Sequence, residues 1–136
     1  MRYFHNLYAL VTPSPRWQVA VGLDMGFQEQ ARDRRATHRW VNPQGVLRHV
    51  PSPQTAIAAR VEYYDDPGGV IVSPTGSGFR AWGASVNLDH GIGQHALIRV
   101  EVRTLGARDP VFVQRSGCVD DGNVAFTVAL ALNFGP

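Results

Sequence analysis

The sequence predicts an all-β chain of about seven long antiparallel strands that run up and down in chain order. Three observations predict it. Apolar and polar residues alternate with period two over several segments. Those segments are roughly 10 to 12 residues long, longer than the ~5–6 usual in soluble proteins. The connections between them alternate short and long. A strand turns successive side chains to opposite faces, so this period marks two-faced strands and not helices. The 14 Gly and 9 Pro fit a turn-rich chain.

The elements follow in order. Arg2 to Val11 is apolar and aromatic without clean alternation, and Thr12-Pro13-Ser14-Pro15 makes a tight turn. Trp17 to Phe27 alternates most clearly. Trp17, Val19, Val21, Leu23, Met25 and Phe27 share one face; Gln18, Ala20, Gly22, Asp24 and Gly26 share the other. Gln28 to His38 is a long polar loop with Arg32, Asp33, Arg34 and Arg35. Arg39 to Val50 carries Pro43 and Gly45, so a bulge or partial loop is expected there. After the tight Pro51-Ser52-Pro53, the strand Gln54 to Tyr64 sets Ile57, Ala59, Val61 and Tyr63 against Arg60 and Glu62. Asp65 to Ser77 is a long loop. Phe79 to His90 sets Trp82, Ala84, Val86 and Leu88 against Gly83, Ser85, Asn87 and Asp89. Gly91-Ile92-Gly93 is tight. His95 to Leu105 sets Ala96, Ile98, Val100 and Val102 against Arg99, Glu101 and Arg103. Gly106 to Gly122 is the third long loop. The last strand, Val124 to Phe134, sets Val124, Phe126, Val128, Leu130, Leu132 and Phe134 against Ala125, Thr127, Ala129, Ala131 and Asn133. There is also an internal repeat: Pro13-Ser14-Pro15 then Val19-Ala20 recurs as Pro51-Ser52-Pro53 then Ile57-Ala58.

Composition narrows the function. The 136 residues are one domain or a piece of one. No run of 18 apolar residues offers a membrane helix. Met1 is not followed by a basic, apolar and small-residue leader, so either the chain stays in the cytoplasm or an upstream part is missing. All 13 basic residues are arginine, but the formal charge is only +2 and the arginines are scattered, so no nucleic acid is expected. The single Cys118 excludes an internal disulfide.

Two-sided strands suit either a soluble sheet or a membrane barrel. The aromatics and charges decide. Trp17 adjoins a tight turn, and Phe27, Tyr63 and Tyr64 adjoin long loops, as expected at two membrane interfaces. The mid-strand charges lie on the non-apolar face, which a watery lumen tolerates and hydrocarbon does not. Short periplasmic turns and long outer loops give the connection rhythm. With seven strands, the first and last run the same way, and closing the ring would need a parallel pair. The expectation is therefore an antiparallel up-and-down transmembrane β-barrel segment, an incomplete barrel.

The closing Ala-Phe-Thr-Val-Ala-Leu-Ala-Leu-Asn-Phe resembles the last strand of outer-membrane proteins, with Gly135-Pro136 added after the aromatic. That resemblance implies that Phe134 is an assembly signal read by the barrel-assembly machinery. Ala59-Arg60-Val61-Glu62-Tyr63-Tyr64-Asp65-Asp66-Pro67-Gly68-Gly69 resembles the arginine-x-glutamate-tyrosine strand and aspartate-rich loop of the OmpL-like β-barrel porins. Gly83 to Asp89 and Leu97 to Arg103 resemble that family's next two strands. The resemblance covers nearly the whole chain. It implies a larger barrel in a Gram-negative bacterial outer membrane, passing small solutes or ions passively, with residues 1–136 as the C-terminal part of a single outer-membrane β-barrel domain.

The candidate site residues follow. Arg60, Glu62, Arg99, Glu101, Arg103, Asp24 and Asn87 are expected to line a pore, or to pair laterally and stiffen its wall. Trp17, Val19, Val21, Leu23, Val128, Leu130 and Leu132 are expected to face lipid. Arg32, Arg34, Arg35 and Arg39 suggest contact with lipopolysaccharide phosphates, or simply a solvated loop. Asp65, Asp66 and Asp89 suggest calcium, but adjacent acids before Pro-Gly-Gly more often make a turn, and no metal or other cofactor is expected. Ser85, Asp89 and His90 do not share one face, so no catalysis is expected. Self-association into a homo-oligomer is compatible with the pattern and not specified by it. Two other classes compete: a soluble lipocalin-type ligand-binding barrel with apolar faces inward, and a structural outer-membrane barrel with a plugged lumen.

If the faces are assigned correctly, Val21→Arg loses far more folded barrel than Gly22→Arg. An arginine facing lipid at the midplane costs about 2–4 kcal/mol. Folded yield in vesicles checks this; equal losses would contradict the assignment.

Overall fold

The computed structural model describes residues 1–29, 37–72 and 78–134. Each of the seven segments forms a strand: β1 (Arg2–Ser14), β2 (Trp17–Glu29), β3 (Thr37–Ser52), β4 (Thr55–Asp66), β5 (Phe79–Ile92), β6 (Ala96–Ala107) and, beyond the short strands β7 (Phe112–Val113) and β8 (Val119–Asp120), β9 (Gly122–Leu132). They form one antiparallel sheet in the order β1-β2-β3-β4-β5-β6-β9. The sheet does not close. Among the described residues, β1 and β9 each pair with one strand only, which fits the expected incomplete barrel.

One register runs across the whole sheet. Val11, Val19, Leu47, Ala59, Val86, Val102 and Phe126 are successive partners on one face. One step along, Ala20, Val46, Arg60, Ser85, Arg103 and Ala125 are partners on the other. Because a one-residue slip would exchange the faces, alternation within each strand fixes this alignment between strands.

The apolar face is the open one. Val21, Val61 and Val86 are 53%, 62% and 55% exposed. On the polar face, the side chains of Glu62 and Asp89 are only 15% and 14% exposed. The contrast belongs to the central strands; β1 and β9 are exposed on both faces. Among the described residues, Trp40 and Ala56 are the only buried hydrophobic side chains. A soluble sheet buries its apolar face instead.

The repeated Pro-Ser-Pro motif builds two matching corners. Ser14 pairs with Trp17 and Ser52 with Thr55, each after a register shift just upstream, between Val11 and Ser14 and between His49 and Ser52. An extra residue before the turn increases local twist and closes the hairpin tightly.

Four expectations need correction or extension. β3 is one continuous strand and not partly loop. Proline has no N–H to donate, yet Pro43 keeps its place opposite Leu23; the ladder lapses only on the β4 side, at Asn42 and Pro43. The stretch Gly106 to Gly122 is not simply a loop, since β7 (Phe112–Val113) and β8 (Val119–Asp120) pair within it. β9 ends at Leu132, short of Phe134. Asn133 N–H still bonds the His95 carbonyl at 2.8 Å, but Phe134 is 90% exposed with no strand beside it. Tyr64 stands on the polar face opposite Ala81, so it is not part of the apolar face's aromatic row.

That row is otherwise clear. Tyr3 is opposite Phe27 and Tyr63 opposite Trp82 near the long-loop end; Trp17 stacks on His49 at 4.1 Å near the tight turns. At about 3.4 Å per residue and a tilt near 45°, Trp17 to Phe27 spans roughly 25 Å of height. Large rings are accommodated by missing side chains. A Cβ on Gly26 would lie 2.5 Å from the Trp40 ring, which lies across it on the polar face and stacks on Phe4 at 5.4 Å. Trp82 covers Gly106 in the same way on the apolar face.

Gly26→Ala should therefore destabilise the sheet by about 1–3 kcal/mol through overpacking. Adding Trp40→Leu should recover part of the loss. Denaturant unfolding of the detergent-folded protein reads this, and purely additive effects would contradict the contact.

Candidate functional site

Three hydrogen-bonded groups hold most of the mid-strand charge on the polar face. In the largest, Arg60 Nη2 donates to Glu62 Oε2 at 2.7 Å and to Gln44 Oε1 at 3.1 Å, while Arg103 Nη2 donates to Glu62 Oε1. Glu62 is on β4 and Arg103 on β6, so the carboxylate must cross β5. It does so over Gly83, where a Cβ would sit 2.7 Å from Glu62 Oε1. A side chain at 83 would have to displace the carboxylate from this path; the glycine leaves it room.

The second group lies nearer the tight turns. Arg99 Nε and Nη2 donate to both oxygens of Asp89 at 2.6 and 2.7 Å, and Asn87 Nδ2 donates to Asp89 Oδ1 at 3.2 Å. This is the fork geometry that makes arginine–carboxylate pairs directional. In the same region Arg48 Nη1 donates to Gln18 Oε1 at 3.2 Å. The third group is Asn6 donating to Asp24 across β1 and β2.

All seven residues expected on this face stand on it. The structure joins Arg60, Glu62 and Arg103 directly, and links Asn87 and Arg99 through Asp89. Asp24 stands apart with Asn6, and Glu101 is opposite Asn87. Sequence reasoning left Asp89, Arg48, Gln44 and Gln18 off this list. Their parity with Asn87 and with Arg60's partners was the available signal. The seven residues expected on the other face, Trp17, Val19, Val21, Leu23, Val128, Leu130 and Leu132, all share the apolar side.

The three acids considered for calcium are dispersed, each with its own partner. Asp89 holds Arg99, Asp65 accepts from Arg80 Nε at 2.6 Å, and Asp66 holds its own loop. His90 Nδ1 lies 3.1 Å from Thr55 Oγ1 on the apolar face, away from Ser85. Arg32, Arg34 and Arg35 lie outside the described residues. Arg39 is opposite Phe27.

Beyond the Tyr63–Trp82 row, the long-loop end is organised by Asp66. It is fully buried and accepts N–H bonds from Val70, Ile71 and Val72 at 2.9, 2.8 and 3.2 Å. Burial pushes its carboxyl up, but the three backbone donors outweigh that and leave it below the ordinary value. Around it on the polar face are rings: Tyr64 and Phe79 meet at 5.8 Å. The β7–β8 hairpin brings Phe112 to the same place. With Tyr64, Phe79, Leu105, Glu62 and Asn42 it borders a mainly apolar cavity of about 230 Å³.

The family described as "Putative beta-barrel porin-2, OmpL-like" matches residues 1–134. No curated protein and no solved structure matches the chain.

Because the folded value of Asp66 is depressed, its contribution is complete above the unfolded value near ~3.9 and fades as pH falls through the folded value. Amide exchange at Val70, Ile71 and Val72 should stay protected down to about pH 4 and open below it. Asp66→Ala should lose that protection at every pH, by about 1–3 kcal/mol. Protection unchanged in the variant would remove the carboxylate's role.

Proposed function

The chain belongs to the OmpL-like β-barrel porin family, and from that premise we propose that it forms part of the wall of an outer-membrane channel for passive passage of small solutes or ions. The observation that carries this is the inverted coverage of the sheet. In the central strands large apolar side chains stand on the more open face, and the carboxylates Glu62 and Asp89 on the more covered one. In lipid the apolar side costs nothing to expose, and in a water-filled lumen the arginines and carboxylates stay hydrated.

On this reading Trp17, Val19, Val21, Leu23, Val128, Leu130 and Leu132 face lipid. Asp24, Arg60, Glu62, Asn87, Arg99, Glu101 and Arg103 line the lumen, joined by Asp89 and Arg48. No chemistry is asked of them. Their fields sort solutes by charge, and their lateral pairs keep the wall in shape. The lipocalin-type alternative requires the apolar face to be the covered one, and it is the open one. Phe134, free of strand pairing, is available as a signal to the assembly machinery.

The open edges support a larger barrel of which this chain is the C-terminal part. β1 and β9 run in the same direction, so neither this chain alone nor two copies joined β9 to β1 closes an all-antiparallel ring. An odd number of further strands does. The genomic sequence upstream of Met1 tests this: an in-frame extension with a leader and more alternating segments is expected.

Reconstitution of the full polypeptide in planar bilayers tests the channel itself. Step conductance is expected, and its absence in repeated trials, with folded protein inserted, would favour the plugged structural barrel. Glu62→Gln removes the carboxylate shared by two guanidinium groups. Under a salt gradient its reversal potential should move toward anion selectivity; no movement would take Glu62 out of the lumen.

A further inference from the structure

We propose that the cavity under the β7–β8 hairpin is a solute subsite for one ring of a neutral, hydroxyl-rich solute, a sugar. The proposal rests on the channel reading and names the solute class that the wall would favour. Three features carry it. The first is the apolar wall. Tyr64 and Phe79, whose rings meet at 5.8 Å, stand with Leu105 and Phe112 around a space of about 230 Å³, the scale of a single ring. The second is the polar edge, made by Asn42 and Glu62. Among the described residues no hydrogen bond engages the Asn42 amide, which offers both donors and an acceptor. Glu62 accepts from Arg60 and Arg103, and its carboxylate oxygens keep further lone pairs. A hydroxyl both donates and accepts, so hydroxyls along the rim of a ring suit both groups. The third is the balance of charge. Among the described residues no arginine lines the cavity, while Glu62 and the buried Asp66 beside it are offset by the two guanidinium groups behind Glu62.

A sugar ring has apolar C–H faces and a polar rim, and it meets rings on one side and Asn42 with Glu62 on the other. An anion meets Glu62 before any guanidinium. A cation loses its water and finds the nearest carboxylate already paired. A plain hydrocarbon ring leaves the Asn42 amide desolvated and unpaired.

Asn42 and Phe112 reach the cavity from separate parts of the chain. Asn42 is on β3, where the ladder to β4 lapses. Phe112 comes from a hairpin within the β6–β9 connection, outside the seven-stranded sheet. That hairpin is tied down by Ala107 N–H to the Asp121 carbonyl at 2.7 Å and Arg108 N–H to the Arg80 carbonyl at 2.9 Å. Phe112 can therefore be trimmed without touching a main strand.

The test uses the full polypeptide folded in a detergent without a sugar headgroup, with methyl glucoside and methyl galactoside as probes. Glycerol lacks the ring, and glucuronate adds a negative charge to it. Titration calorimetry should show saturable binding of at least one hexoside, with glycerol and glucuronate each at least about tenfold weaker. Phe112→Ala and Asn42→Leu should each weaken that hexoside by about tenfold. Val113→Ala, on the exposed neighbour in the same hairpin, should leave its binding as it was. Binding of neither hexoside, glucuronate as tight as the hexoside, or affinity unchanged in Phe112→Ala overturns the subsite. The same protein in planar bilayers separates the two ideas. A protein that conducts but binds neither hexoside keeps the channel and loses the subsite. One that binds a hexoside but never conducts keeps the subsite and loses the channel.

Discussion

A single register shared by seven strands is the constraint on which the structure depends. Each strand alternates apolar and polar residues, and hydrogen bonding aligns each strand to its neighbour. A slip at any one seam would turn every later strand inside out relative to the earlier ones. With the seams aligned, most of the large apolar side chains gather on one surface and most of the mid-strand arginines and carboxylates on the other. The charge clusters are products of that alignment. Arg60 and Arg103 flank Ser85 in one cross-strand row, and Glu62 stands in the adjacent row beside Gly83. No loop positions them.

The side chains then adapt to the register. Where the sheet brings a large ring or a long carboxylate over a neighbour, the neighbour is glycine: Gly26 under Trp40, Gly83 under Glu62, Gly106 under Trp82. Glycine weakens an isolated strand, and in a sheet it marks close approach. Here each one admits a contact that spans strands. The ion pairs are half-exposed at the arginine end, so each adds at most about 1 kcal/mol. Their larger effect is geometric, because a carboxylate held from both sides keeps two guanidinium groups in place above β5.

Most of the sheet was legible in the sequence because period-two alternation is a local signal. Parity marked the strands that begin at Trp17, Gln54, Phe79, His95 and Val124 and assigned the faces of their residues, and proline and glycine marked the tight turns; the first and third strands alternate too poorly for that. What could not be read depends on neighbours far along the chain. Tyr64 sits beside Tyr63 and the long loop, and only its pairing with Ala81 gives it to the polar face. β3 remains a strand through Pro43 because β2 holds the other side of it. Asp89 was weighed as a metal ligand, although its parity matched Asn87; its partner Arg99 lies ten residues away around a turn. The β7–β8 hairpin has only two residues per strand, too few to show a period. Phe134 shares the parity of β9, but the strand needs a partner residue to extend, and β6 begins at Ala96 opposite Leu132.

The strictly sequential order of the sheet has a consequence for how it forms. Every strand pairs only with its nearest neighbours among the main strands, and the widest register pair joins Ala96 to Leu132, 36 residues apart. No segment must wait for a distant one, and the entropy lost in closing each hairpin grows only slowly with its length. Such a sheet can be laid down one hairpin at a time, each new strand templated by the edge before it. At every stage one edge remains open to receive the next strand, and that edge is also where a stray chain would add.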